Sequence, residues 1–124
     1  MILVVDDDPE FLQEVQTALA QASKENVLMA GNAEEALGLI DSMGTTLSVI
    51  LVDLDLPVMN GFDLISELRK KHPRLPVIAM SGVASEAVLE AAKLFGAADV
   101  LSKPITIEWK ATVKRVRDFH QNRN

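Results

Sequence analysis

The sequence predicts a doubly wound α/β fold in which a parallel sheet carries helices on both faces. Apolar strand segments and amphipathic helical segments alternate, strand then helix, five times over. The middle strand, Ser48 to Val52, is nearly all apolar and mostly β-branched, with no polar–apolar alternation. Such a strand is covered on both faces, as in a parallel sheet. The strands also end in polar or charged residues, and parallel strands bring all those ends to one edge.

The elements follow in order. Ile2 to Val5 is a short strand closed by Asp6-Asp7-Asp8. Asp8 suits a helix cap and Pro9 the first helical position. The first helix then shows Phe11, Leu12, Val15, Leu19 and Ala22 on one stripe. Val27 to Ala30 is the second strand. Asn32 and Glu35 form a capping box for a helix holding Leu37, Leu39, Ile40 and Met43, with Gly44 as its stop. Strand three runs into Asp53 and a loop marked by Pro57 and Gly61. A helix from about Phe62 to Lys71 packs through Phe62, Ile65 and Leu68, and His72-Pro73 ends it. Pro76 to Met80 is strand four, closed by Ser81-Gly82. Ser85 to Phe95 is helical, with Val88, Leu89, Ala92 and Phe95 inward, and Gly96 ends it. Asp99 to Leu101 is strand five, followed by Ser102-Lys103-Pro104. Thr106 caps a last helix striped by Trp109, Val113, Val116 and Phe119 or His120. Trp109 reads as partly buried packing, the methionines as core filler, and His72 and His120 as surface residues.

The length of 124 residues suits one domain, 1–124. Hydrophobic residues make up 48% and charged residues 24%, an ordinary globular balance. No apolar run reaches the roughly eighteen residues of a membrane span, and no signal-peptide pattern is present. The absence of cysteine excludes disulfides and thiolate metal sites and fits a cytoplasmic location. A net charge of −6 argues against a nucleic-acid face, and without an apolar span no membrane partner is expected. The first strand starts at once and the chain stops soon after the last helix, which hints at a domain cut from a longer protein.

Asp6, Asp7, Asp53, Ser81 and Lys103 therefore face a common crevice. Each has an ordinary reading by itself: a solvated strand end, a turn pair, a lysine before a proline. Asp55 fits a loop residue bonding its own backbone. Their coincidence on one edge points to a site. The aspartates repel one another unless positive charge joins them. Lys103 supplies one charge, and a hard divalent cation suits an oxygen-only ligand set, Mg²⁺ (or Mn²⁺) rather than zinc.

Four segments in this order resemble the receiver domain of two-component response regulators: Ile2 to Pro9, Asp53 to Gly61, Met80-Ser81-Gly82, and Gly96 to Pro104. The resemblance implies a flavodoxin-like sheet in strand order 2-1-3-4-5. It implies Asp53 as phosphoacceptor, Asp7 as direct metal ligand, Asp6 as a ligand through water, and Asp55 as a backbone-carbonyl ligand. It further implies that Ser81 bonds the phosphoryl group, Gly82 leaves it room, and Lys103 pairs with it across a cis bond to Pro104. The donor would be a histidine kinase or phosphotransfer protein, and the reader an output domain or protein contacting the fourth helix, fifth strand and last helix. Val100 stands where the family usually has the Tyr or Phe of that switch. Two rivals remain from the residues. Asp53-Leu-Asp55 also resembles the motif of haloacid-dehalogenase-type phosphatases, and a receiver-like module could act by interaction alone.

Overall fold

Five short strands pair side by side in the order β2-β1-β3-β4-β5, every neighbouring pair parallel. They are β1 (Ile2–Val5), β2 (Val27–Ala30), β3 (Val49–Asp53), β4 (Val77–Ser81) and β5 (Asp99–Ser102). The helices are α1 (Pro9–Ala22), α2 (Ala33–Met43), α3 (Gly61–Lys71), α4 (Glu86–Phe95) and α5 (Glu108–Asn122). This is a computed structural model, and it describes residues 1–22, 26–83, 85–106 and 108–122. The predicted architecture and strand order are borne out.

Successive strand residues point to opposite faces, and both faces are dry. Leu3, Val5, Ile50, Val52, Val77 and Ala79 join the core under α2, α3 and α4. Ile2, Val4, Val49, Leu51, Ile78 and Met80 join the core under α1 and α5. The alternation is thus present in space while the sequence shows none, because neither face meets water.

Caps set the helix limits. Asp8 Oδ1 accepts from the N–H groups of Glu10 and Phe11, and the side chains of Asn32, Asn60 and Ser85 cap α2, α3 and α4. Glu35 returns its carboxylate to the N–H of Gly31 rather than of Asn32, so the capping box closes one residue early. Ser85 is therefore a cap and not the first helical residue. Gly96 closes α4 at φ 117°, as the sequence predicts. α2 ends at Gly44, as expected, but its φ of −52° is right-handed rather than left-handed, and a 3₁₀ turn over Gly44–Thr46 follows. At the start of α5 the Thr106 carbonyl accepts from Trp109 N–H. The expected place of Ala22 on the α1 stripe lies outside the described side chains.

Several expected burials differ. Phe95 is 43% exposed, resting against Phe62 with ring centroids 5.2 Å apart, because α4 buries chiefly Ala92 at the sheet's β5 side. Of the two alternatives for the end of the α5 stripe, Phe119 is 57% exposed and His120 is the one that is half-buried. Trp109, by contrast, is fully enclosed, its indole N–H donating to the Ser102 carbonyl at 3.0 Å. His72 is half-buried rather than superficial, its Nε2 lying 3.6 Å from Asp41. His120 is also half-buried, with Nδ1 2.9 Å from the Val116 carbonyl. Met80 is buried core, as expected.

Candidate functional site at the carboxyl edge of the sheet

Parallel pairing decides which strand ends meet. Val5 lies level with Val52, so the next residues, Asp6 and Asp53, emerge side by side. Asp53 is level with Met80, and Ser81 with Ser102, so Ser81 and Lys103 come out on the same edge. The predicted aspartates do converge: carboxylate oxygens of Asp6, Asp7 and Asp53 lie within 4.8 Å of one another. Asp6 and Asp53 are buried and Asp7 is exposed.

Lys103 bridges the two buried carboxylates. Its Nζ is 2.6 Å from Asp6 Oδ2 and 3.3 Å from Asp53 Oδ2. The remaining oxygens are held by backbone: Asp8 N–H donates to Asp6 Oδ1 at 2.9 Å, and Asp55 N–H to Asp53 Oδ1 at 3.2 Å. The Lys103-Pro104 peptide is cis. Asp55 turns its own side chain to solvent.

Burial raises the Asp53 carboxyl above the ordinary carboxylate value. The Asp55 N–H opposes that rise, the Asp6 charge adds to it, and Lys103 counters it. Burial draws the Lys103 ammonium down, but its hydrogen bond to Asp6 and the charge of Asp53 outweigh this and leave it raised.

Ser81 reaches the edge but faces its own loop. The hydroxyl donates to the Val83 carbonyl at 2.9 Å and accepts from the Val83 N–H at 3.0 Å. A Cβ placed on Gly82 would meet nothing within 4 Å, so the space beside Ser81 is open. Val100 is partly buried and packs against the α2–α4 core.

Two site features escaped sequence reasoning. Gly61 begins α3 against the backbone of Asp53: a Cβ there would overlap the Asp53 carbonyl oxygen and lie 2.5 Å from Leu54 Cα. The Asn60-Gly61 pair just before an apolar stripe was the available signal. Phe11, read only as core, also lies beneath Lys103, with Nζ 4.5 Å from the ring centroid. Nothing in linear spacing announces that contact.

An oxygen-lined acidic crevice crossed by a lysine, at the carboxyl edge of a flavodoxin-like sheet, defines the class. Residues 2–113 match the family described as the response regulator receiver domain, and the chain belongs to that family. It is 38% identical over 103 residues to the transcriptional regulatory protein CpxR of Klebsiella pneumoniae, covering 83% of this chain and 42% of that one. It is 32% identical over 105 residues to a response regulator receiver protein of Anaeromyxobacter, covering 85% and 43%. The chain thus spans less than half the length of these relatives. Among solved structures, the CheY-like receiver domain protein of Methanospirillum hungatei superposes with a TM-score of 0.88 at 27% identity, covering 99% and 97%. Among the described residues no helix is long and apolar enough to cross a membrane.

Proposed function

We propose that this receiver domain, taken as the whole of 1–124, is a phosphorylation switch that accepts a phosphoryl group on Asp53. The observation that carries the reading is Lys103 bridging Asp6 and Asp53 beside Asp7. The donor is a phosphohistidine on a histidine kinase or phosphotransfer protein. An Asp53 carboxylate oxygen bonds to phosphorus as the phosphorus–nitrogen bond breaks, and the leaving imidazole keeps the electron pair. Asp55 N–H holds Oδ1 and fixes the carboxylate's orientation, which serves an in-line transfer that depends on positioning.

The acidic crevice fits a hard cation. Its donors are all oxygens, and the buried Asp6 Oδ2 meets Lys103 alone, at 2.6 Å. Asp7 would hold Mg²⁺ directly, Asp6 through water, with Asp53 and the Asp55 carbonyl completing the protein's share. When bound, the ion neutralises charge on the phosphoryl oxygens. Lys103 would add its own positive charge to that neutralisation.

The phosphoryl group adds about −1.5 to −2 charge to the crevice. The Ser81 hydroxyl answers it by leaving Val83, which changes the turn leading into α4 and so the face of α4, β5 and α5. An output domain or separate protein reads that face. With Val100 in place of an aromatic ring, the change passes through the β4–α4 turn rather than a swinging side chain. Hydrolysis of the acyl phosphate resets the switch, so the domain works only on its own phosphoryl group.

The test is treatment with acetyl phosphate and Mg²⁺. A single added phosphoryl mass, absent in Asp53→Ala, supports the reading. No adduct leaves an interaction module, and many turnovers of a generic phosphate ester lost in Asp55→Asn would establish a phosphatase instead.

A further inference from the structure

We propose that Phe11 is a positioning residue for phosphoryl uptake, its ring face holding the Lys103 ammonium over the gap between Asp6 and Asp53. The inference rests on the receiver activity proposed above. Lys103 Nζ lies 4.5 Å from the Phe11 centroid, within the range where a ring face attracts a cation. Phe11 is 8% exposed, so the ring is fixed by its surroundings. Its partner in that packing is Trp109, at 5.8 Å and 68°, an edge-to-face contact. Trp109 in turn donates its indole N–H to the carbonyl of Ser102, the residue before Lys103. One indole therefore ties the ring beneath the ammonium to the backbone that carries it.

The two carboxylates hold the ammonium from one side only in this proposal, and the ring holds it from the other. A lysine head is a compact charge on a flexible four-carbon stem, and Coulomb attraction has little direction. With 2.6 Å to Asp6 and 3.3 Å to Asp53, Asp6 holds the closer contact. A ring face supplies a third, directional attraction from beneath. Leucine would fill much of the same space but offers no such face.

The experiment compares Phe11→Leu with Phe11→Tyr in the whole chain. Phosphoryl uptake is followed from acetyl phosphate and Mg²⁺, where the phosphorus–oxygen bond of the donor breaks, Asp53 takes the phosphoryl group and acetate leaves. The ε-methylene protons of Lys103 are followed separately by NMR, assigned by their loss in Lys103→Ala. In the parent protein the ring current moves these protons upfield. Phe11→Leu abolishes that displacement and slows uptake about fivefold, and Phe11→Tyr restores both. Uptake unchanged in Phe11→Leu, or equally slow in both variants, overturns the proposal. Should the parent protein accept no phosphoryl group, the receiver activity falls while the placement is still judged: Lys103 protons at the same position in parent and Phe11→Leu refute it, and displaced protons restored by tyrosine uphold it.

Discussion

Gly61 sits against Asp53 so closely that a Cβ would overlap the aspartate's carbonyl oxygen. The neighbouring obstacles are the backbone atoms Asp53 C and Leu54 Cα, which cannot swing aside as a flexible side chain can. The first residue of α3 is thereby wedged under the strand end that carries the phosphoacceptor candidate, with Gly61 N–H donating to the Leu54 carbonyl. Gly61→Ala should cost about 1–3 kcal/mol, the range for overpacking a well-packed site. Gly38→Ala is the control: nothing lies within 4 Å of its Cβ, and alanine favours helix by roughly 0.5–1 kcal/mol. Urea midpoints moving in opposite directions check both; a neutral Gly61→Ala would refute the close approach.

Val58 occupies the left-handed region at φ 66° with its side chain fully exposed. A β-branched residue is poorly suited to that conformation, and no burial compensates it. Val58→Gly should therefore stabilise the fold, by about 1 kcal/mol after the greater freedom of the unfolded glycine is set against the relieved strain. A thermal scan reads the gain as a higher Tm. A lower Tm would show that the loop is not strained there.

Arg69 closes the far end of α3. Its guanidinium donates to the carbonyls of His72, Pro73 and Leu75, and its stem lies where a Cβ on Gly96 would have to go. Burial lowers its pKa, yet no ordinary pH deprotonates arginine. Arg69→Met keeps much of the stem and removes the donors, which takes its partner from the part-buried Leu75 carbonyl, while the His72 carbonyl keeps the Leu75 N–H. The expected cost is about 1–3 kcal/mol, read as a lower urea midpoint with an unchanged slope.

The sequence carried the fold well because its signals were redundant: an apolar strand, a cap and a stripe each pointed to the same element. Asp53 was legible because a carboxylate interrupts the end of an all-apolar strand. What stayed hidden depends on contacts between distant segments. Phe11 has the periodicity of a core residue and is one, yet it also faces Lys103 across most of the chain's length. Phe95 keeps the α4 spacing but is exposed because that helix covers little of the sheet with its final turn. Spacing predicts which face a residue shares, whereas the extent of cover is set by neighbours the sequence does not display.

The raised pKa of Asp53 has a consequence for stability whose sign is definite. The folded state holds the Asp53 proton more tightly than the unfolded chain does, chiefly because burial disfavours the carboxylate. Above the folded-state pKa the buried charge therefore counts against folding, and below the unfolded value, where both states are protonated, that penalty disappears. Asp53→Asn keeps the shape, removes the charge and leaves Lys103 paired with Asp6 at 2.6 Å. The variant should be more stable than the parent at neutral pH, and the difference should shrink as acid is added. Mg²⁺ should reverse the order, since a cation that favours the charged site stabilises the parent more than the variant. Urea unfolding at neutral and acid pH, with chelator and with added Mg²⁺, measures each part. A variant less stable than the parent in chelator at neutral pH would mean that Lys103 more than offsets the burial of Asp53.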